Sequence, residues 1–347
     1  MADTTIYDIA TKTKLSPATV SRVLNTNSRY PVSEAARKAV LDAADSLGYS
    51  RNGSPVAFAK RQREIGVVVP TISNPFYTQI ISAIGMEARR HNFGVQIYDS
   101  FRDPDIEQQC LWNLRKRKVA GVIISSINPS GDALQKLLDD NIQVVAFDQR
   151  INKLRCNQVL FNAIEASKLA CEHLFEMGHK KIAFFSSPLT RTSREDALDG
   201  YKLAHMRAID RSPCEEFILI SESEEESDVA NYEFENGKKL ATKFLALKDR
   251  PTAIVAVNDM TAIGAMQQLI QNGVRVPEDV SIVGFDNIDF SYMVTPRLTT
   301  VCQPSFDTGR LVCKMLVDSL KGDNREMSYS LQPELIIRDT VKRIADR

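Results

Sequence analysis

The side chains best suited to chemistry in this 347-residue chain fall into two groups. The first is Pro17, Ala18 and Arg22, with the short polar groups of Tyr7, Ser16, Thr19, Ser21 and Asn25 around them. Arg22 can fork hydrogen bonds onto the edge of a guanine, while Pro17 and Ala18 offer only apolar contact, for instance to a thymine methyl. The surrounding hydroxyls and amides suit phosphate oxygens, which fix register without reading sequence; equally, single ones can cap helices or face water. The second group ends a series of apolar runs: Asp99, Ser125, Ser126, Asp148, Ser186, Ser187, Asn258, Asp259, Asp286 and Asn287. Turn and cap preferences account for Ser125 and Asn287. The acidic ends Asp148, Asp259 and Asp286 favour contact with a hydroxylated ligand, since carboxylates accept from vicinal hydroxyls. Asn74, Phe76 and Tyr77 follow the first run, and an aromatic face there packs on the apolar side of a sugar ring.

The first group needs a helix to carry it, and the segment around it reads as three short ones. Thr4 or Thr5 caps IYDIATKT; Ser16 caps SPATVSRVLN, with Pro17 at the first helical position, where a missing N–H costs nothing. Ser33 caps EAARKAVLDAADSLG, whose Ala36, Val40, Ala43, Ala44 and Leu47 form an apolar stripe before Gly48. Only Lys14 and Leu15 separate the first two helices, the connection of a helix-turn-helix, whose second helix enters the major groove. Charge agrees with this division: residues 1–63 hold 10 Lys and Arg against 5 Asp and Glu, and the remaining 284 hold 34 against 39, within a chain of zero formal charge. The stretch SRNGSPVAFAKRQR, with Gly53 and Pro55, reads as a linker.

The second group needs sheet edges. From Ile65 onward apolar runs (IGVVVP, VQIYDS, AGVIISS, VVAFD, then KIAFFSS, FILISE, AIVAVND, SIVGFDN) alternate with helical stretches such as 79–92, 133–141, 166–178 and 261–273. The scheme predicts four strands twice over, as two doubly wound parallel-sheet lobes with a cleft between them and ligands beyond the strands' carboxyl ends.

Composition and motifs exclude several classes. At 43% apolar and 25% charged residues, the chain is too hydrophobic for general disorder. It contains no run of 18 apolar residues, and the opening MADTTIYDIA lacks the marks of an export signal, which reads as cytoplasmic. Six cysteines without a C-x-x-C pair read as reduced, partly buried thiols. No dinucleotide, P-loop or G-x-S-x-G signature occurs, so no enzyme, cofactor or metal is expected. His173 and His179 read as surface residues, Trp112 as core, and the acidic run from Ser221 to Glu233 as a solvated loop.

TIYDIA, SPATVSRVLN and ARKAVLDAADSLGYSRN resemble the DNA-binding domain of the lactose/galactose repressor (LacI/GalR-type) family of bacterial transcription regulators. The likeness continues through SNPFY, DGY, PTAIVAVND, IGAM, VPEDVSIVGFDN and TPRLTTVCQP. It implies an all-α helix-turn-helix headpiece on an α/β periplasmic-binding-protein-like core. The expected division is 1–48 for the DNA-binding domain, 49–63 for a hinge, 64–161 with 291–322 for the N-terminal lobe, and 162–290 with 323–340 for the C-terminal lobe. In the hinge the family's minor-groove wedge falls on Phe58, although Gly53 and Pro55 disfavour a long helix and Phe58 could instead contact the core. The family's cleft positions fall on Phe76, Tyr77, Asp148, Arg191, Ser193, Asn258 and Asp286, with Tyr232 as an aromatic opposite. Ala197 stands where many members carry a clamping arginine, and Arg194 lies one helical turn earlier.

The reading is a ligand-responsive, sequence-specific DNA-binding regulator, most simply a repressor of carbohydrate or related metabolism. A homodimer, joined near 79–92 and 261–273, would hold a double-stranded pseudo-palindromic operator and a small polar effector: sugar, phosphosugar, nucleoside or purine. The short tail after Arg338 carries no leucine heptads for a tetramer. Two alternatives stay open: a regulator answering to a phosphorylated carrier protein, and a transporter's solute-binding protein.

Overall fold

The computed structural model describes residues 5–24, 32–47, 64–128, 130–151, 154–222, 231–323 and 325–344. Its first helix, Ile6–Thr13, starts where the Asp8 carboxylate accepts from both the backbone N–H and the hydroxyl of Thr5 at 2.7 Å. Lys14, at φ 54°, ends it in the left-handed conformation. Ser16 then accepts from the Thr19 N–H at 3.1 Å and opens Pro17–Leu24, and Ser33 accepts from Ala36 at 3.3 Å and opens Glu34–Ser46. The three helices close on Ile9, Val20, Val23, Leu24, Val40 and Ala44, all nearly inaccessible to solvent, which gives this small unit its own core.

The remainder forms two six-stranded sheets. The strands are β1 Glu64–Val69, β2 Gly94–Asp99, β3 Gly121–Ile124, β4 Gln143–Phe147, β5 Asn157–Phe161, β6 Ile182–Ser186, β7 Ile218–Ile220, β8 Ala253–Ala256, β9 Ser281–Asp286, β10 Thr299–Cys302, β11 Ser328–Leu331 and β12 Glu334–Ile336. The first sheet has the order β11-β5-β4-β3-β1-β2, and the second β12-β10-β9-β8-β6-β7, with only the β10–β12 pair antiparallel. The central strands β3, β6, β8 and β9 are buried along their whole length because helices cover both faces.

Two expectations about this core need correction. Each sheet has six strands rather than four. The lobe boundaries also shift: β10 lies in the second sheet although 291–322 was assigned to the first lobe, and β11 lies in the first sheet although 323–340 was assigned to the second. The Ser305–Leu320 helix does join the first lobe, packing on the Pro75–Arg90 helix, where Gly309 lets the Ile80 carbonyl approach. The chain thus passes between lobes after β5, after β10 and after β11.

The Tyr232–Leu245 and Asp259–Gln271 helices press together through a reciprocal glycine contact. A Cβ on Gly237 would stand 2.1 Å from the Thr261 carbonyl, and one on Gly264 would stand 2.0 Å from that of Phe234. This close approach fixes the start of the first of these helices, where Glu233 enters the cleft. Among the described residues, no helix is long and apolar enough to cross a membrane.

Candidate functional site

On the headpiece, Pro17, Ala18 and Arg22 project from the second helix into solvent, and Tyr7 is 71% exposed on the first. Ser16 is exposed, and Thr19 and Ser21 are half-buried. The Ser16 and Thr19 hydroxyls lie 2.9 Å apart, so both already serve the helix start. Asn25 and Phe58, together with Gly53 and Pro55, lie outside the described residues.

Between the lobes is a cavity lined by polar and aromatic side chains from both of them. From the first lobe, Asn74 accepts from the Phe76 N–H at 3.0 Å and so caps the helix that carries Phe76 and Tyr77 to the cavity wall. That helix begins one turn earlier than the expected start at Gln79. The Tyr77 hydroxyl and the Ser125 hydroxyl each donate to Asp148 Oδ2 at 3.0 Å, fixing a carboxylate that follows β4 at φ 66°. Phe76 and Phe161 meet edge to face at 5.7 Å and form the apolar part of the wall. Burial, reinforced by the Asp148 charge, pushes the Tyr77 phenol far up, so it stays a donor.

The second lobe contributes Arg191, Ser193, Arg194, Asn258 and Asp286. Arg194, at the start of the Thr192–Ile209 helix, is held by a 2.8 Å bond to the Pro188 carbonyl, and Ala197 faces the cavity one turn later. Asn258 caps the Asp259–Gln271 helix by accepting from Thr261 at 2.8 Å. Asp286 ends β9 at φ 104° and accepts from Gln303 at 3.0 Å. Its carboxyl is held well above the usual range, first by burial and then by the charges of Asp259, Asp148 and Glu233.

Two expected contacts do not reach the cavity. Asp259 turns beneath the second sheet, where it accepts from the Thr300 hydroxyl at 2.6 Å and the Ile288 N–H at 2.9 Å; burial raises its pKa to about 7. It is a structural group that ties the helix start to β10. Tyr232 hydrogen-bonds Ser221 at 2.7 Å and lies 5.5 Å from the Arg102 guanidinium, behind the wall rather than on it. Sequence reasoning had no signal for Gln149, Phe161, Phe285 and Gln303, which line the cavity, and it placed Glu233 in a solvated run. Glu233 is instead buried and paired with Arg102 of the other lobe. Further bonds span the lobes: Gln149 to Ser193 at 2.7 Å and Arg150 to Asp196 at 2.7 Å.

Trp112 is 57% exposed on the Pro104–Arg117 helix, with the Lys116 ammonium over its ring. His173 and His179 are buried, the latter between the Thr252 hydroxyl and the Lys342 carbonyl. Of the free cysteines, Cys110, Cys156, Cys171 and Cys313 are buried, and Cys214 is exposed. No cluster of His, Cys, Asp or Glu among the described residues could hold a metal ion.

A helix-turn-helix unit joined to a two-lobed α/β core with a polar cleft defines a DNA-binding regulator of the periplasmic-binding-protein-like type. The chain belongs to the lacI family of bacterial regulatory proteins: that family model matches residues 5–52, and a periplasmic binding protein-like domain matches residues 171–341. It is similar to the HTH-type transcriptional repressor PurR of Mannheimia succiniciproducens, at 31% identity over 98% of this chain and 99% of that one. Among solved structures it resembles the Lac repressor dimer bound to operator and the anti-inducer ONPF (TM-score 0.73, 26% identity, 98% of this chain and 100% of that chain). It also resembles a LacI family regulator from Enterococcus faecium with bound ribose (TM-score 0.71, 26% identity, 81% of this chain and 100% of that chain).

Proposed function

We propose that the protein is a repressor whose homodimer binds a pseudo-palindromic operator and whose DNA affinity is set by a small polyhydroxylated effector in the interlobe cleft. The observation that carries this reading is that the cavity wall is divided between lobes, with Tyr77 and Asp148 on one side and Arg191, Asn258 and Asp286 on the other. A ligand touching both sides binds the closed arrangement better than an open one, and that difference is what shifts a conformational equilibrium. The wall brings Arg191 and Arg194 against Asp148 and Asp286, while Glu233 is already neutralised by Arg102. Carboxyl, amide and guanidinium groups set around one wall, with the Tyr77 and Ser193 hydroxyls between them, accept from and donate to a ligand with several hydroxyls. Ribose in the Enterococcus faecium relative and the operator in the Lac repressor complex support both halves of the reading.

On DNA, Arg22 reads a guanine, Pro17 and Ala18 touch neighbouring bases, and Tyr7, Ser16, Thr19, Ser21 and Asn25 hold phosphates, with Phe58 as the minor-groove wedge. The test is selection of a bound site from random duplexes, followed by the same selection with Arg22→Ala. The variant should lose preference at one guanine in each half-site, at a cost of about 1–3 kcal/mol. Retention of the wild-type consensus would remove Arg22 as the reader.

A further inference from the structure

We infer that the core itself touches DNA, through a basic edge of the first lobe that binds phosphates flanking the site held by the headpieces. The inference rests on the DNA-binding reading above and adds a second contact surface to it. Strand carboxyl ends of both sheets line the cavity, so the strand starts lie at two opposite poles of the core. The pole of the first lobe is where the chain arrives from the headpiece, because β1 starts there at Glu64. The Ala120 N–H donates to the Glu64 carbonyl at 2.8 Å, which places the end of the Pro104–Arg117 helix beside the arriving chain.

That helix end is the run Arg115, Lys116, Arg117 and Lys118. Arg115 is engaged by Asp140, and Lys116 covers Trp112. Arg117 and Lys118 are exposed, and neither forms an ion pair among the described residues. The Pro75–Arg90 helix ends at the same pole, since Glu64 pairs in register with Gly94, and it adds Arg89, while Arg90 is engaged by Glu87 at 2.9 Å. Cations at a helix C-terminus are favoured by the macrodipole, which accounts for one or two such residues at any helix end. The dipole does not require a run of four beside the tether, in a core whose residues 64–347 carry 34 basic against 39 acidic side chains. A duplex gripped by headpieces only 15 linker residues away is the polyanion within reach of this edge.

The opposite pole supplies a matched control. Lys243 and Lys248 flank the end of the Tyr232–Leu245 helix, both exposed and subject to the same dipole, but in the lobe remote from the headpiece. The experiment compares the full-length wild type, the double variant Arg117→Gln/Lys118→Asn and the control Lys243→Gln/Lys248→Gln on a 40-base-pair duplex carrying a site selected by the wild type. Asn is chosen at 118 because that position is left-handed, at φ 53°. The slope of log affinity against log salt falls by about 0.9 for each phosphate that is no longer neutralised. Freeing four phosphates per dimer therefore flattens it by about 3.6, so that between 50 and 200 mM salt the wild type loses on the order of 100-fold more affinity than the variant. The control should keep the wild-type slope, and the variant's base preference should be unchanged. Equal slopes for the wild type and the 117/118 variant, or equal flattening by the control, would overturn the inference. Binding of no duplex by the wild type would instead overturn the regulator reading on which it stands.

Discussion

Replacing Arg102 by Met tests whether the lobes are held together by a desolvated ion pair. The Arg102 guanidinium follows β2 in the first lobe and reaches Glu233 at the start of a second-lobe helix, with side-chain accessibilities of only 4% and 6%. Neither charge keeps its hydration, so removing the arginine leaves a carboxylate buried without compensation. Breaking such a pair from one side costs about 3–5 kcal/mol, and taking the guanidinium away from the Tyr232 ring adds on the order of 1 kcal/mol. At roughly 2–4 °C per kcal/mol for domains of this size, Arg102→Met should lower the melting temperature by about 8–24 °C. The double variant Arg102→Met/Glu233→Leu carries no stranded charge and should recover most of that decrease. Differential scanning calorimetry of the three full-length proteins at pH 7, without ligand, reads both numbers. A single variant within about 1 kcal/mol of wild type, or a double variant as unstable as the single, would refute the argument.

Gly264→Ala should destabilise the second lobe by about 1–3 kcal/mol, because its Cβ would collide with the Phe234 carbonyl; denaturant melts showing no change would mean that the helices part freely. Asp259 titrates near 7 in the native protein against about 4 when unfolded, so its contribution to stability is full below pH 4 and is lost as pH rises through 7. The melting temperature of Asp259→Asn should therefore gain on wild type between pH 5 and pH 8, and a difference independent of pH contradicts the assignment. Trp112, the sole tryptophan, should emit as a solvated indole open to iodide quenching, and its replacement by Ala should change stability by less than about 0.5 kcal/mol. A blue-shifted, unquenched spectrum would return it to the core.

Local signals made much of this molecule readable. Hydroxyl caps at Ser16 and Ser33, followed by apolar stripes, mark two headpiece helices, and apolar runs mark eight of the strands, the edge strands β2 and β7 among them. The strands that escaped notice lack such runs: β5 opens with Asn157 and Gln158, β11 is an exposed edge, and β12 has three residues. Since β10 and β11 exchange lobes, missing them also displaced the domain boundaries. In the cleft, Asp148 and Asp286 were legible as acidic strand ends, but Asp259 follows the same rule and serves Thr300 instead. Only the tertiary position of β10 separates these cases. Trp112 sits beside Leu111, yet the buried face of its helix runs through Glu107, Cys110, Leu111 and Leu114 and leaves the indole outside. His179 is buried by Thr252 and Lys342, partners too distant in sequence to be read from spacing.

Control of the headpieces by the cleft is tested most directly by operator affinity as a function of ribose or another hydroxylated compound shown to raise the melting temperature. For wild type, saturating ligand should change the dissociation constant for the selected duplex by about 5- to 150-fold, the range of ordinary allosteric coupling. With Arg191→Ala, whose side chain lines the cavity, the change should vanish while affinity in the absence of ligand is kept. A compound that stabilises the core through this cleft and leaves operator affinity untouched would contradict the account.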